Sequence, residues 1–206
     1  MAKSDIIATL DADDTFDKRK LEMMVPMAKK HGMAVSNIRI IEDETNVEFP
    51  SIQYTPHTRL IEFNELLAIN ACGNFNVVFK KPGKLIYYTD KVHYCEDLFF
   101  ASQIYDYYGK AFYFRHKLYN YCLNNDSLCR SKKATDYFFR DRIMLISLLK
   151  KNEIDIKNNT TKDMLISYIQ AGHDINEKHS EMLPLDVFID KLRKLCPFLP
   201  NRRSWK

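Results

Sequence analysis

"IIATLDADDTF", residues 6–16, places three aspartates, Asp11, Asp13 and Asp14, directly behind an apolar run. Ile6 to Leu10, short, apolar and bounded by polar residues, reads as a strand buried on both faces. Such a strand in a parallel sheet has neighbours on both edges. An acidic cluster after a strand is most simply a turn plus a helix cap, in which Asp and Thr bind local backbone N–H groups. Capping uses one or two of the three, and Asp14 is expected to be the cap. Asp11 and Asp13 are then left for chemistry.

Outward from this stretch the pattern alternates. A helix is expected from about Lys18, with Leu21, Met24, Val25 and Ala28 on one face, kinked or divided at Pro26 and closed by Gly32. Ala34 to Ile41 reads as the next strand, followed by a polar, proline-marked loop, "EDETNVEFPSIQYTPHTR". Ile61 to Ala71 reads as a helix and Val77 to Lys80 as a strand. "EDLFFASQIYDYYG" sets Leu98, Ala101, Ile104 and Tyr108 at helical spacing before a glycine cap, so Glu96 and Asp97 open that helix. "KAFYFRHKLYNYCL" alternates as a strand does. From Lys132 the spacing turns helical, with Ile143, Ile146 and Leu149, then Met164, Leu165 and Tyr168, then Val187, Leu192 and Leu195 as apolar faces.

The chain has 206 residues, 46% of them hydrophobic, enough for one domain with a real core or a domain plus a helical appendage. Its 31 basic and 27 acidic residues leave a net charge of +4, too balanced to point to nucleic acid as a partner. No apolar run approaches the roughly 18 residues that span a bilayer, and "MAKSD" lacks a signal-peptide layout, so a cytoplasmic location is expected. The ending "CPFLPNRRSWK" is compatible with contact at the inner face of the membrane, but a solvated tail is the preferred reading. Cys72, Cys95, Cys122, Cys129 and Cys196 show no CxxC pair and read as reduced thiols. His93-x-Cys95 has no second half with zinc-site spacing.

Two families share the opening pattern. Asp11-x-Asp13-x-Thr15 resembles the nucleophile motif of haloacid-dehalogenase-type phosphatases, in which the first Asp attacks phosphate. "KKHGMAVSNIR" resembles that family's second motif, ending at Ser36, and Lys80 or Lys81 can stand for its lysine. The Gly-Asp phrase that usually introduces its later acidic pair occurs nowhere. "LDADD" resembles equally the DxD motif of family-two glycosyltransferases. Here the later parts follow: Tyr94 to Ser131, "YCEDLFFASQIYDYYGKAFYFRHKLYNYCLNNDSLCRS", resembles the pattern in which an acidic pair opens a helix, a glycine ends it, and a strand leads to a Ser-containing loop. That ordered run makes the transferase the preferred reading and the phosphatase, or a non-catalytic remnant acting as a binding partner, the alternatives.

The transferase resemblance implies an α/β fold of partial GT-A type, a Rossmann-like parallel sheet with flanking helices that binds its ligand beyond the strands' carboxyl ends. It covers residues 1–131 as a transferase-like domain lacking the family's amino-terminal nucleotide-binding units, with 132–206 as an α-helical tail, so that this chain alone is expected to bind a nucleotide-sugar poorly and to turn it over negligibly. It implies a nucleotide-diphosphate sugar as donor, a saccharide or lipid-linked acceptor, and inversion. Asp13, with Asp11 nearer the ribose or sharing the metal, would hold Mn or Mg on the diphosphate. Asp97 would be the general base, and Glu96 would orient it or touch the acceptor. Where many relatives carry an Arg that steadies the leaving diphosphate, Cys122 stands here, and Arg130, or Arg115–His116 upstream, would replace it.

Overall fold

The computed structural model describes residues 3–42, 45, 47–49, 57–70, 76–84, 86, 90–93, 95–123, 134–179, 183 and 185–200. In chain order these form strand β1 (Ile6–Ala8), β2 (Thr15–Phe16), helix α1 (Lys20–His31), β3 (Met33–Glu42), β4 (Glu48–Phe49), β5 (Arg59–Ile61), α2 (Phe63–Asn70) and β6 (Val78–Lys80). Then come α3 (Glu96–Tyr108), β7 (Ala111–Leu123), α4 (Ala134–Lys150), α5 (Asn159–Glu177) and α6 (Leu185–Leu195). The expected boundary at residue 131 falls outside the described residues.

The strands make one sheet in the order β1-β6-β3-β7-β2, with β4 on β3 and β5 on β7. β3 and β7 are parallel, from Ala34 opposite Phe112 to Glu42 opposite Leu123. The other pairs are antiparallel. The sheet is therefore mixed rather than parallel throughout: β6 runs in reverse between β1 and β3. That arrangement still sends β1, β3 and β7 in one direction, so their carboxyl ends share one side of the sheet. The β3–β7 register slips between Ser36 and Asn37 and again between Asn37 and Ile38. Such bulges bend a strand and increase its twist, here just before Tyr119.

Period-two alternation sorts side chains to the two faces. Ala34, Val78 and Phe114 join Met24 and Ala28 of α1 in a smaller core, while Met33, Val35, Phe79 and Tyr113 face the opposite way. There they pack in one large core with Leu66 of α2, Phe99 and Ile104 of α3, Leu149 of α4, and Leu165 and Ile169 of α5. α1 thus covers one face, and α2, α3 and the carboxy-terminal helices the other.

Several expectations are corrected. α1 continues through Pro26, and its buried side is Lys20, Met24 and Ala28, with Leu21 exposed. On α4 the inner stripe is Leu145, Ile146, Leu148 and Leu149, and Ile143 faces out; on α6, Val187 and Leu195 are exposed while Ile189 and Leu192 are buried. β1 is half-buried, with β6 as its neighbour among the described residues, and Leu10 beyond it is exposed. An apolar run too short to show a period gives no sign of how many neighbours it will have.

Candidate active site

Past β1, the amide and hydroxyl of Thr9 bond to the backbone of Val77, so the pairing with β6 continues for one more residue. The chain then turns, with Asp14 N donating to the Asp11 carbonyl at 3.2 Å. Asp11 and Asp13 face solvent, whereas Asp14 is buried, 6% exposed. Asp14 is not a helix cap, because α1 begins only at Lys20 and the first helical turns draw on Asp17, whose Oδ1 accepts from Arg19 N at 3.0 Å. Instead its carboxylate accepts from Cys122 N at 2.8 Å and from the Tyr119 hydroxyl. The same Tyr119 oxygen accepts from Asp11 N at 3.2 Å. One tyrosine on β7 therefore ties both ends of the acidic turn to the sheet. Burial pushes the Asp14 carboxyl up to about 6, against those hydrogen bonds and with the charges of Asp13 and Asp11 adding.

Beneath the turn lies Lys20, fully buried at the start of α1. Its ammonium sits 4.4 Å from the Phe16 ring centre and 4.5 Å from that of Tyr119, within cation–π range, and 3.4 Å from Asn76 Oδ1. Asn76 Oδ1 also accepts from Ser36 N and Oγ at 3.2 and 2.7 Å, and its amide donates to the Ser36 carbonyl at 2.9 Å. Desolvation depresses Lys20 to about 7, opposed by the charge of Asp14. Neither Lys20 nor Asn76 was expected at the site. A lysine opening an amphipathic helix carries no local sign of burial, since its partners come from distant segments.

Glu96 and Asp97 open α3, as expected, and both are partly exposed. The N-cap is Cys95, held at φ 65°, ψ 11° with no side-chain cap; Asp97 Oδ1 accepts from Leu98 N at 2.8 Å. The Glu96 carboxyl is raised above its ordinary range, first by burial and then by the negative charges of Asp11 and Asp141. The fold thus brings the acidic turn after β1 and the acidic pair of α3 within electrostatic reach of each other. Arg115 and His116 are the extra residues of β7 at the first register slip, between Ser36 and Asn37, and Arg130 lies outside the described residues.

Among the described residues no three His, Cys, Asp or Glu side chains are placed to hold a metal ion. Asp11 and Asp13 offer two solvent-facing carboxylates, which suits a cation whose remaining ligands are water and the phosphates of a bound substrate, the usual setting for Mg²⁺.

Residues 1–120 match Glycosyl transferase family 2. That span includes both acidic segments. No curated protein matches the chain. Among solved structures it resembles S. aureus TarS residues 1–349, at 11% identity and TM-score 0.60, over 95% of this chain and 57% of that one. The longer TarS structure gives 12% identity and 0.60 over 98% and 35%, and TarS 1–349 in complex with UDP gives 12% and 0.58 over 95% and 57%. At such identities the likeness is one of fold. The chain spans little more than half the length of the shorter TarS structure.

Proposed function

The chain belongs to glycosyl transferase family 2, and from that premise we propose that it transfers a sugar from a nucleotide-diphosphate donor to the hydroxyl of a saccharide or lipid-linked acceptor, with inversion, in building a cell-surface polysaccharide or glycoconjugate. The observation that carries this reading is the family match over residues 1–120, which spans both acidic segments, and the negative charge of Asp11 helps to raise the Glu96 carboxyl. A donor's diphosphate lies against Asp11 and Asp13, and manganese or magnesium, when bound, neutralises the charge that would otherwise repel these carboxylates. The solved complex of TarS with UDP supports a nucleotide donor.

Asp97 takes the proton of the acceptor hydroxyl as that oxygen attacks the anomeric carbon. Its place in the first turn of α3 favours its ionised form by about 0.3–1 kcal/mol. Glu96, partly desolvated, orients the acceptor. Arg130 is the cation we assign to the departing diphosphate. Among the described residues no helix is long and apolar enough to cross a membrane. The phosphatase alternative loses support at Ser36, whose hydroxyl is buried and committed to Asn76 and the Asn37 carbonyl.

Release of nucleoside diphosphate from UDP- and GDP-sugars in manganese, with calorimetry of UDP binding beside it, is the test. In a version extended by amino-terminal nucleotide-binding units, Asp97→Asn is expected to lower the transfer rate by about 10²–10⁴-fold with donor affinity nearly unchanged. Asp13→Asn should weaken manganese-dependent UDP binding. Hydrolysis of an aryl phosphate that Asp11→Asn abolishes would instead establish the phosphatase.

A further inference from the structure

We propose that α4 holds the acidic pair of α3 in place, with Asp141 as its positioning residue; the inference rests on the reading of Glu96 and Asp97 given above. α4 lies beyond residues 1–120, the part that matches the family. The Asp141 side chain is completely buried. A carboxylate in that position is costly unless its oxygens are paired and hydrogen-bonded, and here both are occupied. Oδ2 accepts the backbone N–H of His93 at 2.6 Å, and Oδ1 is paired with the Arg140 guanidinium at 3.0 Å. Arg140 in turn lies 4.8 Å over the ring of Tyr137, and that ring meets the His93 ring edge to face at 6.0 Å. One turn of α4 therefore grips His93 by its backbone and by its ring.

The next residue extends the grip. Arg142 hydrogen-bonds to Cys95 and donates to the Gly172 carbonyl of α5 at 2.8 Å. Cys95 is where the chain needs holding: its backbone is in the left-handed region, which a residue other than glycine enters only when its surroundings impose it. The Cys95 side chain does not cap α3. With no cap from Cys95, the direction of the first turn of α3 depends on what fixes residues 93 and 95. The charge of Asp141 acts on Glu96, as does that of Asp11 in the turn after β1. α4 is thus a support for the acidic pair, supplied by a part of the chain the family match does not include.

Amide hydrogen exchange of the whole chain, read residue by residue by NMR, tests this. Asp141→Ala should speed exchange of the His93 amide by about 10–100-fold, while amides of Ile104 and Tyr105 and of β7 keep their protection. Asp141→Asn, which retains an oxygen to accept that N–H, should restore His93 to within a few fold of the wild type. In the transfer reaction the alanine variant should lose roughly 10–100-fold in kcat with the donor KM little changed, and the asparagine variant should recover most of it. Unchanged exchange at His93 in the alanine variant, or protection lost evenly through α3 and β7 in both variants, overturns the positioning role. Full transfer by Asp97→Asn overturns instead the reading of the acidic pair on which the inference stands.

Discussion

Lys20 and Asp14 are two charged groups packed under a turn that otherwise faces water, and burial shifts each toward its neutral form. For Lys20 the folded value near 7 lies below the ordinary 10.5. Between those limits the unfolded chain binds more protons than the folded one, so stability rises with pH across that window. Asp14 moves the other way, from 3.8 to about 6. There the folded chain binds more protons, so its contribution falls as pH rises from about 4 to 6. Urea unfolding across this range should show both trends, each on the order of 1–3 kcal/mol. Lys20→Met should abolish the upper rise and Asp14→Asn the lower fall. A flat Lys20→Met difference between pH 7 and 10 would mean that water reaches the ammonium.

Helix ends show how one residue type can serve different ends. Gly32 closes α1 at φ +90°, and a Cβ there would stand 2.1 Å from the ring of Tyr108 in α3. Gly109 closes α3 at φ +71° with nothing within 4 Å of the same position. Both are readable in sequence as glycine caps, and only the packing separates them. Gly109→Ala should cost about 1–2 kcal/mol, the backbone strain alone. Gly32→Ala adds a clash with a ring wedged between α1 and β6, where the Tyr108 hydroxyl donates to the Lys80 carbonyl at 2.8 Å, and should cost clearly more, roughly 3 kcal/mol or above. Chemical denaturation of the two variants, compared with the wild type, decides the order.

At the scale of the molecule, α4 and α5 share the large core with the sheet. Leu149 and Leu165 are wholly buried among residues that include Met33, Phe99 and Ala111. Leu149→Ala should therefore cost about 2–5 kcal/mol and lower the melting of strands and helices together. Far-ultraviolet and tyrosine near-ultraviolet dichroism should follow one transition. A helical transition that precedes loss of the tyrosine signal would show α4 to α6 to be a unit of their own.

Much of this was present in the letters. Alternation marks β3 and β7, helical spacing and a closing glycine mark α1 and α3, and Glu96 and Asp97 stand at a helix start by position alone. These features are local: a residue's own backbone preference and a one-sided burial pattern act over a few residues, and a sequence displays both. The tertiary structure alone decided that β6 runs in reverse, that Lys20 is buried and Ile143 is not, and that Asp14 serves β7 rather than α1. Asp14 reaches Cys122 and Asp141 reaches His93 across 108 and 48 residues of chain. A buried charge settles where its hydrogen bonds can be met, and which distant backbone meets them is fixed only when the sheet and helices have packed.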